Sequence, residues 1–206
     1  MKILLLPLLL FLTTTVVGQS TYEQRNKFYN TSDVQLKAEL ASDLAWSLKN
    51  INPDSSLFFA EEALRLSRKS KDRKIEAYSL SDIGNYHKRK EDYEKARSYY
   101  QESLKVRENI GEKRDIVSGY NQLGLLYRQW EKYDSAKYYF SSGLKKIPEN
   151  QFPDLRMKIL DGLGMTLFHL GDFEVALQKV DASRGLAEAL EDSLSIAQSW
   201  QNTGAI

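Results

Sequence analysis

Glycine recurs in this chain at Gly84, Gly124, Gly164 and Gly204, a constant step of 40 residues. A fixed period of that length confines a chain to stacked copies of one supersecondary unit. Since 11 glycines offer many chance series, the period needs further columns, and they are present. One residue ahead of the first three glycines stand Ile83, Leu123 and Leu163; nine behind come Tyr93, Tyr133 and Phe173; twelve behind come Ala96, Ala136 and Ala176. Background frequencies multiplied over those columns put coincidence below about one in a million.

Each copy reads as a helical hairpin. Apolar residues recur at three- and four-residue spacing before the glycine, a short polar break follows, and a second such run begins. The breaks are Lys90-Glu91-Asp92, Glu131-Lys132 and Gly171-Asp172, each followed by an aromatic residue and then by Glu94, Asp134 or Glu174. A carboxylate in the first turn of a helix faces its partial positive charge. An earlier, degenerate unit offers Asn52-Pro53-Asp54, a capping side chain, a proline at the first helical position and an acid behind it. Glycine inside a helix costs about 1 kcal/mol against alanine, so the glycine and alanine columns imply helices that cross closely, with the aromatics filling the space beside them.

Composition removes several function classes. At 42% hydrophobic and 28% charged residues the chain is of ordinary globular type. Its 29 Lys and Arg, less Lys2 in the leader described next, balance 28 Asp and Glu. Nucleic acid is therefore not an expected partner, because phosphate binding needs an excess of positive charge on one face. Cysteine is absent, which excludes disulfides, thiolate metal sites and thiol nucleophiles. No Gly-x-Ser-x-Gly, glycine-rich phosphate loop or His-Glu-x-x-His occurs, so no enzyme and no cofactor is expected. His87 reads as a half-buried packing residue, and the two histidines, 82 positions apart, make no metal site.

The first residues carry an address. Lys2 precedes an apolar run from Ile3 to Leu12, and Val16-Val17-Gly18 places small residues at a cleavage site. Residues 1–18 therefore read as a signal peptide, and the run is too short and too broken by Pro7 to span a bilayer, which needs about 20 residues. No second long apolar run follows, so no membrane span is expected in the mature chain. Residues 19–35 form a lead-in and 36–206 a repeat domain of about four and a half units. The fifth unit, with Ile196, Trp200, Thr203 and Gly204, stops inside its first helix. A bare last unit leaves an apolar stripe in water. A fragment of a longer protein is therefore the favoured reading, ahead of a natural short form or self-association through the uncapped end.

Leu-Gly, then an aromatic, then Ala, an aromatic and a small residue resembles the tetratricopeptide repeat. The third unit matches best, with Tyr120, Leu123, Gly124, Tyr127, Ala136, Phe140 and Gly143. The step of 40 resembles the longer-helix subgroup of that family. The resemblance covers residues 36–206 and implies an all-α fold, a right-handed superhelical solenoid of antiparallel helix hairpins, with a protein or peptide as partner. It implies a groove lined by the first helix of each unit. Asn85, Lys88, Arg89, Asn121 and Arg128 would present amide, ammonium and guanidinium donors there, and the fourth unit would add Lys158, Asp161, Met165, Phe168 and His169. The same residues also read as an ordinary solvated helix face, and the sequence leaves both open. Ser81 stands where the carboxylate-clamp subgroup has lysine, so the resemblance does not extend to that mode. The basic run Arg65, Arg68, Lys69, Lys71, Arg73, Lys74 reads as solvated, and Tyr99-Tyr100 and Tyr138-Tyr139-Phe140 as packing.

An export signal ahead of such repeats resembles the periplasmic sensor region of bacterial signal-transduction proteins such as histidine kinases. The expected function is a non-catalytic binding module at the front of such a sensor, with a free periplasmic scaffold as the alternative.

Overall fold

The computed structural model describes residues 20–148 and 151–206, so the expected signal peptide lies outside the described residues. Within them the chain is all-helical: α1 (20–30), α2 (Val34–Leu48), α3 (Pro53–Ser70), α4 (Arg73–Arg89), α5 (Tyr93–Ile110), α6 (Lys113–Gln129), α7 (Tyr133–Lys146), α8 (Pro153–His169), α9 (Phe173–Ala189) and α10 (Ser193–Ala205). It divides into two compact units, one ending at Tyr86 and one running from His87 to Ile206.

The first unit holds the degenerate repeat. Asn52 caps α3 by accepting from the Ser55 N–H at 2.9 Å, with Pro53 behind it at the first helical position. Asp54, in the first turn, accepts from the Tyr86 hydroxyl at 2.9 Å. Small residues meet where α2 and α3 cross: the buried Ser56 hydroxyl donates to the Ala45 carbonyl at 2.7 Å. Phe59, Leu44, Ala60 and Ala63 fill the core beside them, and Phe28 of α1 stands edge-on to Phe59. All six cations of the basic run are exposed, in keeping with the solvated face read in the sequence, and two of them also make a buried contact. Arg68 and Arg73 both pair with Glu76, whose side chain is buried, so two of its cations balance a carboxylate at the α3–α4 turn. Spacing hid the Arg68 pair, because Glu76 lies on the next helix, whereas Arg73 and Glu76 stand three apart on α4.

In the second unit the repeat is regular down to its turns. Glu91, Glu131 and Gly171, one repeat apart, all take the left-handed conformation, with φ of 59°, 58° and 83°. Each is followed by the same closing bond: Asp92 N–H to the His87 carbonyl, Lys132 to Tyr127, Asp172 to Leu167, at 2.9–3.0 Å. That is the six-to-one bond by which a helix satisfies its last carbonyls. Helices α5, α7 and α9 then begin with Glu94, Asp134 and Glu174 in their first turns.

The hairpins are close because the glycine column leaves room. A Cβ on Gly124 would lie 2.6 Å from the Phe140 ring, and one on Gly162 would also lie 2.6 Å from it. Phe140, fully buried on α7, is thus held between α6 and α8. At Gly164 an added Cβ would meet Val180 at 2.7 Å and the Ala176 carbonyl at 3.1 Å, so glycine and alanine columns face each other there. Ala96, Ala136 and Ala176 are fully buried. Tyr133 stacks on His169 and Tyr93 on Trp130, while Phe173 is largely exposed and tilted against Phe168. Gly204 differs from its column, since a Cβ added there would meet no side chain or neighbouring helix within 4 Å.

Of the aromatic pairs, Tyr100 and Phe140 are buried, and Tyr139 stacks on Tyr127 at 5.2 Å. Tyr138, read as packing, is 62% exposed. Two residues before Phe140 on a helix means roughly 200° around the axis, which turns its ring away from the core.

The two glycines of one column should therefore behave oppositely. Gly124→Ala is expected to lose about 1–3 kcal/mol of unfolding free energy through overpacking against Phe140. Gly204→Ala should be neutral or gain up to about 1 kcal/mol from helix propensity. Urea unfolding of both variants checks this, and equal losses would contradict the packing account.

Candidate functional site

Of the groove residues named from the sequence, Lys88 and Arg128 line one cavity and Asn121 another. Asn85 belongs to the first unit, where it is half-buried, and Arg89, at the end of α4, is exposed in the second. Lys88 and Arg128 do meet. With Leu125, Gln129 and His169 they line an open cavity of about 360 Å³. Regular hairpins bring these side chains together, since Lys88, Arg128 and His169 each sit in the last turn of a first helix. Cations are favoured at that end, where helix carbonyls lack intrahelical donors. His169 is fixed by stacking on Tyr133, ring centres 4.6 Å apart and planes 8° from parallel. His87 is half-buried and stacks on Tyr99 in the same way, at 5.5 Å.

Electrostatically this cavity is one-sided. Burial pushes the Lys88 ammonium below the ordinary lysine pKa, and the positive charges of Arg89 and Arg128 push it further the same way. Among the described residues neither Lys88 nor Arg128 has a carboxylate partner. Two cations that repel each other in a partly dehydrated cavity form an anion site, because a bound carboxylate would relieve both costs.

A second cavity, of about 200 Å³, adjoins the first through Leu125 and is walled by α6, α8, α9 and α10. Asn121 and Leu125 come from α6, Met157, Lys158 and Asp161 from α8, and Ser195, Gln198 and Ser199 from α10. The Asp161 carboxylate accepts from Asn202 Nδ2 at 2.6 Å, and Asn202 Oδ1 in turn accepts from Gln198 Nε2 at 3.2 Å. Burial raises the Asp161 pKa, opposed by the Asn202 hydrogen bond and by the Arg128 charge. Asn121 is buried, and its Oδ1 has no hydrogen-bond partner.

The α10 side of this cavity is the part that sequence reasoning missed. The repeat column occupied by Tyr78, Ser118 and Lys158 falls on Gln198 in the fifth unit, so the same carry-over extended by one step would have found it. The hydrogen bond from Asn202 to Asp161 had no such signal. Chemically the two cavities offer charges and amides, suited to holding a polar chain. Among the described residues no group of three or more His, Asp or Glu side chains is placed to hold a metal ion, and no helix is long and apolar enough to cross a membrane.

The family model for the tetratricopeptide repeat matches residues 52–109 and 75–145. With the hairpins described above, the repeats of this chain are tetratricopeptide repeats, and its fold is the all-α solenoid type built from them. A search of the curated proteins finds no match. Among solved structures, BtubC from P. vanneervenii is similar with a TM-score of 0.74 at 22% identity, over 87% of this chain and 76% of that one. A Rap protein complexed with competence and sporulation factor is similar with a TM-score of 0.80 at 18% identity, over 91% of this chain and 54% of that one. The signal transduction ATPase with numerous domains from Pyrococcus horikoshii, which carries a tetratricopeptide repeat sensor, reaches 0.81 at 14% identity, over 95% of this chain and 30% of that one. At these identities the likeness is one of fold. The chain spans about half of the Rap protein and under a third of the ATPase.

Proposed function

We propose that this chain is a non-catalytic binding module that takes a peptide, or an extended segment of a protein, along the groove formed in its second unit by the end of α4 with α6, α8 and α10. The observation that carries the reading is Lys88, a partly dehydrated ammonium beside Arg128 and Arg89 with no acid to balance it. Keeping such a charge costs stability unless a ligand supplies the counter-charge. A fold relative was solved in complex with competence and sporulation factor, which supports a groove of this kind as a ligand seat.

The wider reading is that the module is exported and forms the periplasmic, N-terminal sensor part of a larger signal-transduction protein such as a histidine kinase. The Ile3–Leu12 apolar run and the Val16-Val17-Gly18 motif support export. A free periplasmic scaffold that assembles other proteins or itself is the second reading, favoured by Leu194 and Trp200, which α10 exposes at 81% and 58%.

N-acetyl-glutamate methylamide serves as a probe of the anion site, followed by NMR shifts at Lys88, Arg128 and His169. Binding is expected, and Lys88→Ala with Arg128→Ala should weaken it at least about tenfold. The pH dependence has a definite sign. An ammonium with a lowered pKa sheds its proton at a pH where an ordinary lysine is still charged, so affinity should fall as pH rises through that lowered value, and binding should take up protons. Unchanged affinity in the double variant would remove the groove reading. Export is checked by expressing the full chain in a bacterial host with two membranes and weighing the periplasmic product. A mass corresponding to Gln19 as first residue is expected, and full-length chain retained in the cytoplasm would refute the address. Sedimentation of that product decides the scaffold's self-assembly arm, which a monomer at every concentration would eliminate.

A further inference from the structure

We propose that the cavity walled by α6, α8 and α10 is a subsite for a cationic side chain, arginine or lysine, of the bound peptide, with the Asp161 carboxylate and the Asn121 amide oxygen as its acceptors. This rests on the reading of the groove as a peptide seat and adds the chemistry of a second position along it.

Three observations converge. First, two acceptors in the cavity have unused capacity. Asn121 Oδ1 is buried without a partner, and a buried acceptor left unpaired costs about 1–3 kcal/mol. Asp161 accepts one hydrogen bond, from Asn202, and among the described residues it has no ion-pair partner. Three of the surrounding donors are already committed. Gln198 Nε2 goes to Asn202, the Ser195 hydroxyl to Asp192 at 2.7 Å and the Ser183 hydroxyl to the Met157 carbonyl at 2.9 Å. A ligand that brings donors satisfies both acceptors.

Second, the walls match the rest of such a side chain. Leu125 and buried Met157 line the cavity, and a long basic side chain buries its methylene stem on apolar surface while its head group is hydrogen-bonded. A volume of about 200 Å³ holds one such side chain, or several waters at roughly 30 Å³ each.

Third, the chain's own cations leave the place open. Lys158, three residues before Asp161, is exposed at the rim, and its charge acts on Asp192. Arg128 reaches Asp161 through its field, without an ion pair, and lines the neighbouring cavity instead. With Lys88 and Arg128 on one side of Leu125 and Asp161 on the other, the groove carries separated charges of opposite sign. It therefore selects a peptide with an acidic and a basic group close together, and fixes the direction in which that peptide lies.

The test compares N-acetyl-arginine methylamide with its citrulline counterpart, which keeps the shape and loses the charge, by NMR titration of the full chain read at the Met157 methyl and the Asn121 and Asn202 side-chain amides. The arginine probe is expected to bind at least about tenfold more tightly, with a preference that shrinks as salt is raised and disappears in Asp161→Asn. Equal binding of the two probes to the unaltered chain would overturn the subsite, and this comparison needs no variant to fold. An arginine preference that survives in a folded Asp161→Asn protein would overturn it as well. The glutamate probe, run in the same spectra, separates the two readings. If it binds at Lys88 and the arginine probe shows no preference, the subsite alone falls; if neither probe binds, both fall.

Discussion

The second unit depends on how closely its helices can approach at Phe140. That ring occupies the space where Gly124 and Gly162 lack a Cβ, with 2.6 Å to each position. Any side chain there would push α6 or α8 away from α7, and the first helices of successive repeats would no longer lie side by side. Packing at native density leaves little room for such a shift. The same arrangement recurs one repeat on, where Gly164 faces Val180 and the Ala176 carbonyl. Recurrence of that contact makes the turn geometry recur, and recurrent turns bring residues forty apart in sequence onto one face.

On that face several charges are left without an ion pair, whereas other carboxylates of the chain are held by cations. Glu76 is held by Arg68 and Arg73, and Asp154 by both guanidinium nitrogens of Arg114 across one repeat. In the groove, among the described residues, Lys88, Arg128 and Asp161 make no ion pair, and Arg128 acts on Asp161 only through its field. The Asn121 carbonyl oxygen, a neutral acceptor, is equally unused. Incomplete pairing beside two cavities is what the proposed groove would carry before a ligand arrives, because the ligand would complete the pairs.

Much of the fold was legible because it is written in local, periodic terms. The glycine step of 40, the first-turn acids Glu94, Asp134 and Glu174 and the Asn52-Pro53 start all act within one or two turns of helix, and tertiary context does not override them. The groove was legible only in part. Family positions on the first helices gave Lys88, Arg128 and Asn121, but nothing in the sequence distinguished Arg89, which is exposed, from Lys88, which is half-buried. The difference is one of position around the helix axis, which neighbours in sequence do not share. The Asn202–Asp161 bond, 41 residues apart, and the pairing of Glu76 with Arg68 depend on side-chain direction across helices. Hydropathy periodicity does not encode that direction.

If the unpaired charges are kept for a ligand, they should weaken the empty protein, as functional groups commonly do. The direct measurement is the unfolding free energy at neutral pH of the double variant Lys88→Met, Asp161→Asn, taken by urea denaturation without added ligand. A gain of about 0.5–2 kcal/mol over the unaltered chain is the predicted result. A loss of similar size would mean that these charges hold the fold together, and would contradict the account of the groove as a ligand site.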